Sequence, residues 1–502
     1  MSKQRIPSAF ASLEPAPVWR FFADLAAVPR PSKHEERIRR HIKKVAQKNG
    51  LKLREDRAGN QVIEVPASRG CERAPITVLQ GHLDMVCEKN AATDHDFDRE
   101  PIKLLVEDDP KDGQQIVRAD GTTLGADNGI GVAMALAAAC SPDVVHGPLE
   151  LLFTVDEEAG MSGAKALAPD LFHGRRLLNL DSEEDHVLYI GCAGGCDTTL
   201  SWTWDVRPPA KGVETCRVVV EGLCGGHSGG DIHKNRGNAI KLLVRTLRGT
   251  RSKRLQIAAL NGGSKRNVIP REAAAVLAGP AGTFKALQQA AARVRDEAAG
   301  ESAEDHPVLR VEKVPRKAAS PALSSEDTQH LLAILAALPQ GVLGLHGKID
   351  RLVETSNNVA IVATSPNERR GAMNVSVGTL SRSSSPSQMH VILRQIAAVG
   401  QLAGAEVATG NEYPGWEPNM NSPLLGTCRT VYAQLFGEPP NVTAIHAGLE
   451  CGIIGQRVGG MDMISFGPHI TGAHSPDEQV YVASVQKTWR YLRAVLMELA
   501  RG

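Results

Sequence analysis

The chain has 502 residues, which is room for roughly two to four domains of ordinary size. Its 57 Lys and Arg residues nearly balance 56 Asp and Glu residues, so the formal net charge of +1 provides no long-range attraction for nucleic acid or an anionic membrane. With 42% apolar residues, 48 Gly and 29 Pro, the composition is typical of a folded globular protein and excludes a disordered or collagen-like chain.

Cysteine content and hydrophobicity predict a cellular compartment. The number of cysteines, 9, is odd, and residues 1–22 lack an unbroken apolar stretch of secretory length. Both features favour the reducing cytoplasm. The richest apolar run, 129–140, is well short of the ~20 residues that a membrane helix needs. We therefore expect a cytoplasmic protein that binds neither membrane nor nucleic acid.

The first part of the chain has the pattern of an α/β layer. Ser32 and Glu35 have capping-box spacing and precede apolar residues at helical intervals, which predicts a helix ending at Gly50. The run 129–140 predicts a buried helix. Short β-rich runs bounded by Gly, Pro or polar residues predict strands at 61–65, 76–79, 149–155 and 177–180. Buried strands separated by helices favour a mixed, largely parallel sheet with helices on both faces.

The pattern changes after residue 195. Predicted elements then follow the order strand, helix, strand, strand, helix, strand of a split βαβ unit: 217–220, 239–247, 255–260, 273–277, 284–299 and 308–314. A second, looser copy is predicted as a helix, two strands, a helix and a strand: 331–338, 359–364, 373–379, 389–402 and 406–408. The middle of the chain is therefore predicted to be an inserted α+β domain of two ferredoxin-like modules.

Pro, Gly and polar residues predict the boundaries of this insertion. Residues 315–325 are predicted to link the two modules, and residues 411–423 have the composition of a hinge. A predicted strand and helix after the hinge resume the first layer. The sequence thus predicts a discontinuous catalytic domain and an inserted lid or dimerisation domain: 1–194 with 413–502, and 195–412.

Polar side chains follow the predicted strands where those strands end. His82 and Asp84 come after the strand 76–79, and residues two apart on an extended chain point the same way. A metal-binding histidine commonly donates its second ring N–H to a carboxylate, so Asp84 could orient His82 as a ligand. A structural hydrogen-bonded pair is the alternative.

Further acids stand at equivalent places. Asp127 lies in a glycine-lined turn at the start of the buried helix, where a helix cap is the alternative. Glu157 and Glu158 close a predicted strand, where a solvated loop face is the alternative. Asp181 follows the next strand along the chain. Four strand or helix ends therefore carry an acid or a histidine.

Because ligands of open α/β sheets collect beyond the carboxyl ends of the strands, this set predicts a divalent-metal site. Two-metal hydrolases hold ions ~3.5–4 Å apart and lower the pKa of a bound water to about 7. A carboxylate that binds no metal must then accept the proton of that water. The adjacent Glu157 and Glu158 could divide the roles of base and ligand.

Five motifs in a fixed order carry a likeness to a known family. They are Gly-His-Leu-Asp-Met-Val at 81–86, Gly-Ala-Asp-Asn-Gly at 125–129, Asp-Glu-Glu-Ala-Gly at 156–160, Asn-Leu-Asp-Ser-Glu at 179–183 and Thr-Gly-Ala-His-Ser-Pro at 471–476. In order and wording they resemble the dinuclear-zinc M20 metallopeptidase family. Matching segments at 191–195, 225–230 and 446–452 extend the resemblance over nearly the whole chain. It implies a zinc-peptidase-like catalytic domain with an inserted lid.

The resemblance also implies a set of metal ligands. His82 and Asp181 would bind one ion, Glu158 and His474 would bind the second, and Asp127 would bridge the two. The implied cofactor is a pair of divalent ions, zinc by the resemblance, and cobalt and manganese also tolerate this ligand set.

The remaining roles concern catalysis and substrate. By resemblance, Asp84 orients a ligand histidine, Glu157 is the general base and His227 stabilises the oxyanion. Arg382 resembles the lid arginine that binds the C-terminal carboxylate of the substrate, and Asn267 resembles a substrate-binding asparagine. The implied reaction is hydrolysis of dipeptides, with Xaa-His and β-Ala-His as the expected substrates.

Several alternatives stay open at the level of sequence. A structural turn is the alternative for His227, and an ordinary surface position is the alternative for Asn267 and Arg382. The segment 378–385 around Arg382 is richer in Ser than the family pattern, which weakens the inference on specificity. A broader dipeptidase, an N-acyl amino-acid deacylase and a catalytically silent metal-binding subunit fit the same motifs. The sequence also leaves open a homodimer in which His227 serves the partner's site.

Overall fold

The computed structural model describes residues 10 and 12–501. These residues divide into two compact units. Unit 1 takes the chain up to Gly191, the segment Trp416–Ala444 and the chain from Leu449 onward. Unit 2 consists of Cys192–Gly415 and Ile445–Gly448. Within this part of the chain, none of the helices combines the length and apolar character needed to cross a bilayer.

Helices and strands alternate along most of the described chain. The helices are α1 (Ala16–Ala26), α2 (Glu36–Lys48), α3 (Ala126–Cys140), α4 (Ser162–Lys165), α5 (Ala239–Gly249), α6 (Thr283–Glu301), α7 (Ser325–Ala337), α8 (Pro386–Leu402), α9 (Pro423–Phe436), α10 (Glu450–Arg457) and α11 (Val482–Leu499). The strands are β1 (Lys52–Glu55), β2 (Gln61–Val65), β3 (Thr77–His82), β4 (Leu104–Asp108), β5 (Gln115–Ala119), β6 (Leu149–Thr154), β7 (Arg176–Asn179), β8 (Val187–Cys192), β9 (Gly194–Arg207), β10 (Glu214–Glu221), β11 (Gln256–Gly262), β12 (Ala273–Gly279), β13 (Val308–Lys313), β14 (Ala322–Leu323), β15 (Gly341–Leu345), β16 (Val353–Pro366), β17 (Ala372–Ser383), β18 (Glu406–Tyr413), β19 (Asn441–Ile445), β20 (Asp462–Ser465), β21 (Ile470–Thr471) and β22 (Gln479–Tyr481).

The main sheet of unit 1 has eight strands in the order β1-β2-β6-β3-β7-β20-β8-β19. Its centre, from β6 to β20, is parallel, and antiparallel pairs flank it. Strands β3 and β6 are buried along their whole length, as expected for strands covered on both faces. The predicted mixed, largely parallel α/β layer is confirmed. A second, four-stranded sheet of order β21-β22-β5-β4 escaped prediction.

The buried helix α3 starts three residues before its predicted position, at Ala126. It follows Gly125, whose φ of +70° lies in the left-handed region that favours glycine. The predicted capping box of α2 is wrong. Its N-cap residue is Glu35, without a side-chain cap, and the hydroxyl of Ser32 instead donates to Asp84 Oδ2 at 2.7 Å. The polar residues before α2 therefore hold a loop rather than a helix end.

Unit 2 contains one large antiparallel sheet built from two modules. The first module has the predicted element order, with strands arranged β13-β10-β12-β11. The second has the matching arrangement β16-β17-β9 with β18 paired to β9. Its first strand, β9, precedes the entire first module in the chain, whereas the sequence pattern placed the second copy wholly after the first. The two modules join where Gly262 of β11 pairs with Val362 of β16.

The segments predicted as connections carry secondary structure of their own. The predicted linker 315–325 contains a short 3-10 helix and β14, which pairs with β9. The predicted hinge 411–423 begins inside β18 and ends at the first residue of α9. The helices α9 and α10 and the strand β19 escaped prediction, because short runs of mixed polarity precede and follow them.

Burial separates two leucines on helices of unit 2. Leu243 of α5 is fully buried in the core, whereas Leu402 at the end of α8 is 91% exposed. Leu243→Ala should lower the free energy of unfolding by about 2–5 kcal/mol, because it removes buried methyl groups and leaves a cavity. Leu402→Ala should change it by less than about 0.5 kcal/mol. Urea titration of both variants measures the difference, and equal effects would contradict this core.

Candidate active site

The polar cluster of unit 1 lies beyond the carboxyl ends of three parallel strands. His82 is the last residue of β3, and Glu157 and Glu158 follow β6 within four residues of its end. Asp181 follows β7, and Asp127 lies in the first turn of α3. Because β3 pairs in parallel with both β6 and β7, their ends meet at one edge of the sheet. The backbone topology therefore brings these side chains together.

Asp127 stands between two histidines. Its Oδ1 lies 3.0 Å from His82 Nε2, and its Oδ2 lies 3.2 Å from His474 Nε2. Asp181 Oδ1 is 3.3 Å from the same nitrogen of His82, and Glu158 Oε2 is 3.0 Å from the same nitrogen of His474. The structure thus brings all five predicted metal ligands together. One carboxylate faces two histidine–carboxylate pairs, which is the arrangement of two cation sites with a shared ligand.

The donor set fits a pair of divalent metal ions. Imidazole nitrogen and carboxylate oxygen are donors that zinc accepts in proteins. Glu158 Oε1 is buried and has no hydrogen-bond partner in the described part of the chain. A buried carboxylate oxygen without a partner costs free energy unless a donor or a cation meets it. This atom therefore supports metal binding at this site.

Negative charge exceeds positive charge in this cluster. Burial, together with the charges of Asp127 and Glu158, raises the pKa of Asp181 to about 6. Burial and the nearby Asp127 raise the pKa of Glu183 to about 8. Burial also raises the pKa of Glu157 well above its usual range. Bound cations would favour the ionised carboxylates, so the electrostatics of the cluster agree with its donor set.

Asp84 hydrogen-bonds to residues of this cluster without belonging to the ligand set. Its Oδ1 lies 3.4 Å from His82 Nδ1 and accepts from the backbone N–H of Glu157 at 3.0 Å. Its Oδ2 accepts from the N–H of Glu158 at 3.2 Å and from the hydroxyl of Ser32 at 2.7 Å. Burial opposes ionisation, but His82 and these donors bring the pKa of Asp84 down to about 2. One carboxylate therefore fixes both the imidazole ring and the turn that carries the two glutamates.

A buried hydrogen-bond chain, which the sequence did not predict, crosses the four parallel strands. Glu450 Oε2 accepts from Thr154 Oγ1 at 2.5 Å and from Gln80 Nε2 at 2.7 Å. Gln80 Oε1 accepts from Asn179 Nδ2, and Asn179 Oδ1 accepts from the hydroxyl of Ser465, both at 2.5 Å. Burial raises the pKa of Glu450 to about 8. Glu450 lies in the motif 446–452 and Asn179 in the motif 179–183, but neither motif indicated this hydrogen-bond chain.

Unit 2 brings His227 and Arg382 together. The backbone N–H of Gly230 donates to His227 Nδ1 at 3.0 Å, so the proton of the neutral ring lies on Nε2. That nitrogen is 3.2 Å from Arg382 Nη2, which is also a donor. Two donors that face each other can both donate to one oxygen acceptor. Their arrangement is suited to an anionic or oxyanionic ligand.

Arg382 is 4% exposed. The neighbours of its guanidinium are uncharged: the hydroxyl of Tyr413 at 2.7 Å, the hydroxyl of Ser228 at 3.5 Å and the His227 ring. Among the residues that the structure describes, no carboxylate forms an ion pair with it. Tyr413 was missed from the sequence, because it lies in the segment predicted as a hinge. A buried cation without an anionic partner is costly, which favours binding of an anion here.

Asn267, the other residue of unit 2 predicted to bind substrate, contacts Ser228 through its backbone. The carbonyl of Asn267 accepts from the N–H of Ser228 at 2.8 Å, and its side chain is exposed. A second histidine was missed by sequence reasoning: His446 is buried, and its Nε2 lies 2.7 Å from the hydroxyl of Ser356. Burial, reinforced by Arg382, lowers the pKa of His446 to about 3, so this imidazole is neutral.

Fold and site together define a metal-dependent hydrolase of the two-metal class. Residues 78–498 match the model of peptidase family M20/M25/M40. The cytosol non-specific dipeptidase of Escherichia coli K12 is 42% identical over 98% of this chain and 99% of its own. The chain belongs to peptidase family M20/M25/M40 and is a hydrolytic metallopeptidase, which confirms the family resemblance of the sequence motifs.

Solved structures agree with this assignment. The aminoacylhistidine dipeptidase of Vibrio alginolyticus superposes with a TM-score of 0.85 at 40% identity, over 97% of this chain and 98% of its own. A tripeptidase from Staphylococcus aureus superposes with a TM-score of 0.61 at 16% identity, over 98% of this chain and 100% of its own, and shows the shared fold alone.

The shared position of Asp127 leads to a prediction on metal binding. Zn²⁺ added to chelator-treated protein at 1,000 times its Kd should add about 4 kcal/mol to the free energy of unfolding. Asp127→Asn should abolish this gain, because Asp127 faces both histidine–carboxylate pairs. The exposed Asp120→Asn variant should keep it. Thermal unfolding with and without Zn²⁺ measures the gain, and its survival in Asp127→Asn would refute the shared ligand.

Proposed function

We propose that this protein is a metal-dependent dipeptidase that cleaves Xaa-His dipeptides, including β-Ala-His, with two zinc ions. The observation that carries the proposal is the buried Arg382, which has only uncharged neighbours in the described contacts and lies 3.2 Å from His227 Nε2. The names of the two similar proteins, a non-specific dipeptidase and an aminoacylhistidine dipeptidase, support the substrate class. The non-specific dipeptidase also supports a cytoplasmic location.

The proposed role of Arg382 is to bind the C-terminal carboxylate of the substrate. A planar guanidinium binds a carboxylate through two parallel N–H donors, and burial strengthens the attraction. In a dipeptide this carboxylate is only one residue away from the scissile bond. A requirement for a free carboxylate so close to the scissile bond would therefore select dipeptides over longer peptides. Asn267 is proposed to contact the substrate from the same turn region.

The proposed metal ligands are those that meet around Asp127. His82 and Asp181 would hold one ion, and Glu158 and His474 would hold the other. When bound, the ions would polarise the scissile carbonyl and lower the pKa of the attacking water. Asp84 would keep the His82 ring in orientation, since its carboxylate lies beside Nδ1 and is fixed by three donors.

Glu157 is proposed as the general base. The neighbouring Glu158 pairs with His474 and is therefore committed to the ligand set. Glu157 forms no ion pair with either histidine in the described residues, so its carboxylate is left for proton transfer. Burial raises its pKa well above the usual range, which makes the ionised carboxylate a stronger proton acceptor. Glu157 would take the proton of the attacking water and return it to the leaving amine.

His227 is proposed to stabilise the oxyanion. Its Nδ1 accepts from Gly230, so its Nε2–H would be the donor to substrate oxygen. One such donor contributes about 3–4 kcal/mol to transition-state stabilisation in hydrolases. Whether the substrate of one chain meets His227 of the same chain or of a second copy in a homodimer is part of the proposal to be tested.

A broader dipeptidase is the second candidate function. The 42% identical relative from Escherichia coli is named a non-specific dipeptidase, which favours a wide range of C-terminal residues. An N-acyl amino-acid deacylase would use the same metal site, and a catalytically silent metal-binding subunit is disfavoured by the presence of Glu157. Substrate comparison separates these functions.

Glu157→Gln tests the proposed base. The variant should bind Zn²⁺ as the wild type does and lose roughly 10²–10⁴-fold in kcat, because the amide cannot accept the proton. His474→Ala should lose Zn²⁺ as well as activity. Metal analysis of the purified variants and initial rates with Ala-His provide the measurements. A Glu157→Gln enzyme with most of the wild-type rate would show that another group is the base.

A substrate panel tests the function and the role of Arg382. The wild type should cleave Ala-His and β-Ala-His faster than Ala-Leu. It should cleave N-acetyl-His, Ala-Ala-His and the C-terminal amide of Ala-His more slowly than Ala-His. Arg382→Ala should lose about 2–5 kcal/mol in kcat/KM for Ala-His and little for the amide, because only the free carboxylate needs the guanidinium. The exposed Arg394→Ala is the control.

Each outcome of this panel selects one function. Equal rates for Ala-His and Ala-Leu would replace the proposal by the broader dipeptidase, and preferred cleavage of N-acetyl-His would replace it by the deacylase. If Arg382→Ala lowered kcat/KM for Ala-His and for its amide by the same factor, the assigned carboxylate site would be wrong.

A further inference from the structure

Glu478 is a carboxylate next to the metal-ligand cluster of unit 1, and the proposed reaction does not use it. Glu478 is 2% exposed and accepts hydrogen bonds from four successive backbone N–H groups. Its Oε2 accepts from Leu124 at 2.8 Å and Gly125 at 3.0 Å, and its Oε1 accepts from Ala126 at 2.7 Å and Asp127 at 3.3 Å. The whole turn that carries Asp127 is therefore wrapped around one carboxylate.

Glu478 also belongs to the segment that carries His474. Its own backbone N–H donates to the carbonyl of Ser475 at 3.1 Å, which closes the turn after that histidine. The residue is 351 positions from Asp127 in the chain. Through side chain and backbone together, Glu478 connects the two turns whose ligands, His474 and Asp127, lie 3.2 Å apart.

Arg30 makes the corresponding connection to the third ligand segment. It is 3% exposed, and its Nη1 donates to the carbonyls of Leu83 at 3.0 Å and Asp84 at 2.7 Å. Its Nη2 donates to the carbonyl of Gly125 at 2.5 Å. One planar guanidinium thus holds the loop after His82 and the turn before Asp127 at a fixed separation.

The packing around Arg30 allows little adjustment. A Cβ atom on Gly125 would lie 2.5 Å from Arg30 Nη2, and one on Gly129 would lie 2.7 Å from the same nitrogen. Burial lowers the pKa of Arg30, and Glu478 is the main charge that opposes this shift. The two side chains are therefore an electrostatically coupled buried pair, although each is hydrogen-bonded to backbone rather than to the other in the described contacts.

The turn needs an acceptor of this kind because helix geometry does not hold it. Asp127 and Asn128 have non-helical dihedral angles, with ψ of 112° and 28°. A Ser or Asp at an N-cap position satisfies one or two backbone N–H groups, whereas four donors at 124–127 converge on Glu478. Without that anion, the four backbone N–H groups around Asp127 would lose their acceptor.

We propose that Arg30 and Glu478 are positioning residues for the metal centre, a buried pair that fixes the spacing of the segments carrying His82, Asp127 and His474. The inference rests on the metal site of the proposed function. It predicts that loss of either group weakens metal binding in a folded protein, because outer partners of metal ligands typically contribute about 10–100-fold in affinity. In the described contacts, both groups bond to backbone atoms of the ligand segments rather than to their side chains.

The test compares Glu478→Gln with a matched buried glutamate. Glu150 is 3% exposed, lies in unit 1, accepts from the N–H groups of His173 and Gly174 at 2.8 Å and pairs with Arg54 at 3.2 Å. Glu150→Gln is therefore an equivalent substitution that leaves the ligand segments alone. Chelator-treated variants are titrated with Zn²⁺ by calorimetry, and urea unfolding of the metal-free proteins measures the structural cost of each change.

The expected result is a loss of at least about tenfold in Zn²⁺ affinity for Glu478→Gln and less than about twofold for Glu150→Gln, at similar losses of metal-free stability. Wild-type Zn²⁺ affinity in folded Glu478→Gln would overturn the proposal. If this variant does not fold, Glu478→Asp and Arg30→Lys decide in its place, since both keep the charge and lose the reach. Wild-type affinity in both would likewise overturn it.

Asp127→Asn serves as the reference for the site itself. If Asp127→Asn binds Zn²⁺ as well as the wild type does, the proposed metal site is wrong and the positioning role falls with it. If Asp127→Asn loses Zn²⁺ while Glu478→Gln and Arg30→Lys retain it, the metal site stands and only the positioning role is wrong.

Discussion

Repulsion among buried carboxylates is the constraint that organises unit 1. Asp127, Glu157, Glu158 and Asp181 occupy one edge of the sheet with only two imidazoles between them. The raised pKa of Asp181 agrees with an excess of negative charge in this cluster. Bound cations or protonation would offset that charge, and rigid backbone keeps the acids from moving apart. The parallel strand ends provide the rigidity, and the donor set provides for the cations.

Backbone N–H groups are the second means by which the structure controls negative charge. Asp84 accepts from the turn of Glu157 and Glu158, and Glu478 accepts from the turn of Asp127. In each case an acid that binds no substrate fixes the main chain of an acid that belongs to the cluster. The backbone of these carboxylates is therefore held by hydrogen bonds that do not use the oxygens of the carboxylates themselves.

The sequence predicted what local pattern determines. Strand ends followed by His82, Glu157 or Asp181 are visible in short segments, and so are the glycines of the turn before Asp127. Contacts between distant segments were missed, such as that of Glu478 with a turn some 350 residues earlier. The spacing of Ser32 and Glu35 was misread for a related reason. A capping box and a loop anchor have the same sequence pattern, and only the tertiary partner Asp84 distinguishes them.

The position of β9 has a consequence for synthesis of the chain. Its partner strand β17 lies about 170 residues later, and an entire module is made between them. At about 5–20 residues per second, β9 waits on the order of ten to thirty seconds for that partner. During this time an alternating strand with Trp202 and Trp204 on it has an unpaired edge, which is a feature that chaperones bind and aggregates grow from. The nascent inserted unit is thus exposed to misassembly on the ribosome while β9 waits for its partner strand.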